Sequence, residues 1–260
     1  LMALAVAIGI WFVLRGPNMT VLSIIIDYYQ VLGLISQFNI KWPTIVLSSL
    51  SSTTIFMGDV SIAAPECAVN ITFLDKATFI LSLPALCTII SLLMHFGSLG
   101  YHRYVAKDPN WRVSGSKGAN RLFGAYMNGL VMLYLTTTTA VFKVLNCDDL
   151  GFLVSDPAVQ CYKDQHILPF VLAIIMILLH IIGLPAFTMV KLFQNRVAVL
   201  QDQTLRMHGE GGKSDENPWF DFRSRYHTLY SRFHPDYYYW RLVQLWRKIA
   251  IAIATVIFQN

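Results

Sequence analysis

His95 and His180 each sit inside a long apolar run, where a polar side chain is costly and is often kept for a task. Two facing imidazoles could hold a haem iron. The runs that carry them cross in the same direction, however, and at 1.5 Å rise per residue the two rings differ in depth by about 8 Å. Each is therefore expected to bond a neighbouring helix instead. Asp27 is the one acid at membrane depth, and it reads either as a proton-bearing group or, as expected here, as a helix-start residue at the interface. The run Thr136 to Thr139 could line a polar pathway, but threonines in such a helix more often bond back to carbonyls of their own preceding turn. There is no HExxH, no CxxC, no GxxxxGK[ST], and no Ser or Cys with a base beside it. The chain is expected to be no enzyme and to hold no cofactor and no metal.

The elements that carry these residues belong to lipid. Of 260 residues, 55% are hydrophobic and 13% charged, with a mean hydropathy of +0.50, whereas about a quarter of a soluble domain is charged. The net charge of +5 does not imply nucleic acid, because the basic residues gather between apolar runs, where membrane topology accounts for them. The expected fold is all-α, a polytopic transmembrane bundle of about six spans in a single domain over residues 1–260. Ala77 to Gly100, Leu122 to Phe142 and Ile167 to Val190 are apolar and free of Asp, Glu, Lys and Arg. Val21 to about Ile40 reads as a kinked crossing, broken at Trp42-Pro43 ahead of a short second helix. Leu1 to Leu14 and Ile249 to Phe258 read as parts of a first and a last span, so the chain is expected to be a fragment of a longer one.

Loops set the orientation. The 101–121 loop has five basic residues against Asp108, and the stretch from Lys191 to Lys248 has ten Lys or Arg, so both are expected in the cytosol. The acidic loops with Asp59, Glu66, Asp75, Asp148, Asp149, Asp156 and Asp164 then face outward, and Cys67, Cys147 and Cys161 go with them. A Cys147–Cys161 disulfide would close a loop of about 15 residues, worth roughly 3 kcal/mol in the chain-entropy model. Asn70-Ile71-Thr72 is a glycosylation sequon on the outer side.

Two further segments stand out. Gly183-Leu184-Pro185 should bend its span, as a gate hinge or as a static kink, and Pro43 is a second hinge candidate. Within the cytosolic linker 191–240, Gln203 to Glu216 reads as flexible. After it Phe222, Tyr226 and Tyr230 recur every four residues, interleaved with Arg223, Arg225 and Arg232 and followed by Trp240, Arg247 and Lys248. Such a helix is expected in the headgroup plane, with these residues at the lipid interface. It would be either a passive anchoring belt or a lipid-sensing element coupled to a gate.

Gln30 ahead of Trp42-Pro43, Pro65-Glu66-Cys67, Pro84, Cys147 and Cys161 among acids, Gly183-Leu184-Pro185, and Tyr239-Trp240 before Arg247-Lys248 form a pattern. It resembles the polytopic C-terminal membrane domain of very large cell-surface proteins of algae and other protists, a domain similar in layout to transient receptor potential-like channels. Arg241 departs from it, since an acid is expected after the Tyr-Trp pair. The resemblance implies anchoring, sensing or cation conduction in a plasma or flagellar membrane, an N-terminal ectodomain, and a homo-oligomer or an extracellular filament protein as partner. No potassium-type filter sequence or acidic re-entrant loop follows the Ile167 span, so any pore is expected beyond Asn260.

Overall fold

The structure, a computed structural model, describes residues 19–35, 43–46, 72–105, 107, 109–210 and 216–257. It divides into two units, Leu1–Ala68 and Val69–Asn260. In the first, helix α1 (Met19–Ile35) is already formed at Met19. Asp27 therefore lies in mid-helix, and its reading as a helix-start residue does not hold. Pro43 is exposed just ahead of a helical turn at 44–46. The expected break at Trp42, the first apolar run, Cys67 and Asn70 lie outside the described residues.

The second unit begins with α2 (Phe73–Gly100), extended by a π turn at Tyr101–Val105. Thr72 starts it: its hydroxyl accepts the Asp75 N–H at 3.2 Å, and the Asp75 carboxylate accepts the Thr72 N–H in return. The helix thus begins four residues ahead of the expected Ala77. Helix α3 (Trp111–Leu145) is longer still, at 35 residues. Pro109 stands just before it and no proline interrupts 111–121, so the basic stretch expected as a loop forms the first turns of α3. Arg112, Lys117 and Arg121 ride on that helix.

A small hairpin follows, with β1 (Phe152–Leu153) antiparallel to β2 (Asp156–Gln160) and Gly151 turning at φ 81°. A disulfide joins Cys147 to Cys161 across it, Cα to Cα 6.4 Å. The third long helix runs through α4 (Ile167–Met176), a π segment at Ile177–Ile182 and α5 (Gly183–Gln194). Then come α6 (Arg196–Met207), α7 (Phe220–Tyr230) and α8 (Trp240–Ile257). The flexible reading of Gln203 to Glu216 fails at its start, because α6 continues to Met207 and Gln203 is buried.

Helix α3 is the centre of the bundle. Val131, Tyr134, Val141 and Val144 on it pack with Leu184 and Leu192 of α5, Leu245 of α8, and Ala77 and Leu81 of α2. The outer helices turn their apolar side chains away from the protein: Leu92, Leu93 and Phe96 on α2, and Leu178, Leu179 and Ile182 on the π segment, are exposed. Buried polar groups and exposed leucines suit a bilayer, where the surrounding solvent is hydrocarbon. Three of the described helices are long and apolar enough to cross a membrane, Phe73–Val105, Gly115–Leu145 and Asp164–Gln194. The protein is an all-α membrane bundle. Its orientation is open to a direct check: a cysteine replacing Asp156 should react with an impermeant maleimide from outside the cell, and one replacing Lys117 only after permeabilisation. Labelling of both from one side would remove α3 as a crossing.

Candidate functional site

The π segment ends in the Gly183-Leu184-Pro185 triplet, and each feature of the triplet has a local cause. Pro185 has no N–H to offer the carbonyl four residues back, which belongs to Ile181. Tyr134 on α3 supplies the donor: its hydroxyl donates to the Ile181 carbonyl at 2.8 Å. At Gly183, a Cβ would stand 3.0 Å from the Leu178 carbonyl oxygen, so glycine lets the wide turn close. The break is thus built into the helix and fastened to its neighbour by one side chain.

His180 lies on the same segment, buried, with its ring 5.3 Å from that of Tyr134. Its Nε2 has no hydrogen-bond partner among the described residues, so the expected bond to a neighbouring helix is not made through that nitrogen. His95 lies elsewhere, in a cleft described below. Of the threonine run, Thr138 and Thr139 donate to the carbonyls of Tyr134 and Leu135 at 2.6 and 2.9 Å, each four residues back. The hydroxyls of Thr137 and of Thr188 on α5 are buried without a partner among the described residues. Helices α3 and α5 therefore carry more polar atoms than their packing satisfies.

A second polar constellation ties α6 to α7. The Asp202 carboxylate is fully buried and accepts the Asn217 amide at 2.7 Å and the Tyr230 hydroxyl at 2.9 Å, with Arg223 Nε at 3.7 Å. Burial, with the Asp202 charge adding to it, pushes the Tyr230 phenol above its ordinary range. Gln203 donates to the carbonyls of Tyr230 and Phe233, both at 2.9 Å, which closes the end of α7. Helix α7 in turn presses on α3 at Gly124, where a Cβ would meet the Ser224 carbonyl oxygen at 3.4 Å.

That docking corrects one part of the expectation for α7, the lipid contact of its aromatic face. Its aromatic face turns into the protein: Tyr226 stands 5.6 Å from Phe123 of α3 and 6.4 Å from Phe187 of α5, ring to ring. Tyr230 is wholly buried. Of the basic residues, Arg223 faces Asp202, and Arg232 donates to the Asn128 side chain at 3.4 Å. Arg225 donates to Asn120 at 3.0 Å and remains largely exposed. Trp240, Trp246 and Arg247 are exposed on α8. Lys248 is not at an interface: it is 1% exposed and its ammonium donates to the Val131 carbonyl at 3.1 Å. Arg241, 2% exposed, reaches the Thr228 carbonyl and Gln244, each at 3.0 Å.

His166 escaped the sequence reading. It is fully buried; its Nδ1 accepts the Tyr162 N–H at 3.1 Å, so its Nε2 carries the proton and donates to the Val144 carbonyl at 3.0 Å. The ring pins the disulfide loop to the end of α3. In His166→Ala both backbone groups lose that partner, at about 1–3 kcal/mol each. The expected result is a lowered unfolding midpoint in detergent with the Cys147–Cys161 bridge still present by non-reducing peptide mapping.

No protein-family model matches this chain, and no curated protein or solved structure matches it.

Proposed function

We propose that this bundle is the membrane domain of a large cell-surface protein, that it resembles transient receptor potential-like channels, and that it conducts cations or senses membrane state. The observation that carries the reading is the glycine-dependent π turn at Gly183, whose proline-freed carbonyl is held by Tyr134 of the central helix. A helix break fastened by one interhelical bond has two arrangements within reach, bonded and released, and bistable elements of this kind serve as gates. Helix α5 leads directly into α6, and α6 is clamped to α7 through Asp202, so motion at the cytosolic face has a covalent and a hydrogen-bonded route to the break. Gly183→Ala, by crowding the Leu178 carbonyl, should shift the open-to-closed ratio of cation currents about fivefold or more, the factor that 1 kcal/mol supplies, at normal surface expression. Unchanged gating in a verified conducting channel would remove the π turn from the mechanism.

A non-conducting anchor that holds an extracellular assembly, such as a flagellar hair or coat, is the second reading. The disulfide-closed loop pinned by His166 favours it, because a rigid outer platform suits a partner that pulls on the membrane.

A further inference from the structure

On the side of α2 and α3 where α7 docks, a cleft of about 320 Å³ is lined by Thr88, Leu92, His95, Leu122, Tyr126 and Arg225, among others. We propose that it binds one anionic glycerophospholipid, with the phosphate at Arg225 and His95 and the acyl chain along Leu92 and Leu122. The proposal rests on the membrane reading alone and not on conduction.

The cleft matches an amphiphile in both its parts. Arg225 is its one formally charged lining residue, no acid lines it, and the guanidinium is held in place: Nε donates to Asn120 at 3.0 Å, and the group lies 5.8 Å from the centre of the Phe123 ring. Both Nη atoms are without a protein acceptor among the described residues, which leaves donors in the fork geometry that suits a phosphate. Neither ring nitrogen of His95 has a protein partner among the described residues, and the imidazole can donate from one of them. Tyr126 and Thr88 satisfy each other: the Thr88 hydroxyl donates to the Pro84 carbonyl at 2.8 Å, so the Tyr126 hydroxyl donates to Thr88 at 3.0 Å. That leaves the tyrosine oxygen as an acceptor for a glycerol hydroxyl. The remaining wall is apolar, and exposed Leu92, Leu93 and Phe96 continue it along α2. His95 shares the cleft with Ala119, which lies between Lys117 and Arg121 on α3, so the ring stands toward the basic end of the apolar helices rather than at their middle. An ion alone would leave this apolar wall uncovered, whereas a zwitterionic lipid would bring its own ammonium beside Arg225.

The test is native mass spectrometry of the full chain released from detergent with phosphatidylglycerol or phosphatidylcholine added in equal amounts. The wild type should retain one phosphatidylglycerol in preference to phosphatidylcholine. Arg225→Gln, which keeps an amide for Asn120, should reduce that retention about fivefold or more, the factor for one basic residue at an anionic lipid surface. Ala119→Trp, filling the cleft, should abolish it, whereas Lys163→Gln, exposed in the disulfide loop away from the cleft, should leave it unchanged. Equal retention of the two lipids, or undiminished phosphatidylglycerol in folded Arg225→Gln, would overturn the proposal. Displacement of the lipid by 10-fold excess inorganic phosphate would assign the site to a free anion and overturn it as well.

Discussion

Asp202→Ala is expected to lower stability by about 2–6 kcal/mol, because it leaves the Tyr230 hydroxyl and the Asn217 amide buried without their acceptor, at about 1–3 kcal/mol each. The Arg223 contact adds little, since that side chain is partly exposed and its pair with Asp202 is open at 3.7 Å. The loss should appear in chemical denaturation in micelles as an earlier transition of the α6–α7 layer, with hydrogen exchange at Leu229 and Tyr230 rising first. Tyr230→Phe in the Asp202→Ala background should cost less than in the wild type, because the hydroxyl it removes has already lost its partner. A shift of under about 0.5 kcal/mol, the range of an ordinary surface substitution, would mean that the network does not hold α7 in place.

Tyr134→Phe should cost about 1–3 kcal/mol, because it removes the donor to a carbonyl that Pro185 leaves without its usual helical partner at bilayer depth. The informative experiment is the cycle with Pro185→Ala. An alanine at that position restores an N–H in reach of the Ile181 carbonyl, so Tyr134→Phe should be nearly neutral in the Pro185→Ala background. Both effects are read from unfolding midpoints in the same detergent. Additive costs would show that the tyrosine stabilises the helices by packing alone and that the freed carbonyl is irrelevant.

The three long apolar helices were legible because lipid imposes about 20 uninterrupted apolar residues, a signal that composition alone carries. Their ends were not, since a helix stops where its caps lie and not where apolarity fades. The Thr72-to-Asp75 box and Pro109 carry those signals at α2 and α3. The spacing of Cys147 and Cys161 was enough to suggest their bridge, but His166 could not be read, because both of its partners are backbone groups that only the closed hairpin brings near. The period of four in Phe222, Tyr226 and Tyr230 marked a helix correctly. Period does not say what a face meets, and here Gly124, Phe123 and Phe187 give it a protein surface instead of lipid. Lys248 misled through its neighbours Trp246 and Arg247. Arg241, Leu245, Lys248, Ala252 and Thr255, spaced alternately by four and three, form the buried stripe of α8, and one residue earlier at Arg247 the helix has turned by about 100° to the exposed side.

The central claim is that the bundle belongs to a gated cation pathway, and it is tested most directly by recording from the full-length protein in a planar bilayer, with its orientation verified by labelling at Asp156. The account predicts cation-selective currents whose open-to-closed ratio moves with Gly183→Ala. A bilayer that stays silent with folded, correctly oriented protein would contradict it and leave the anchor reading in its place.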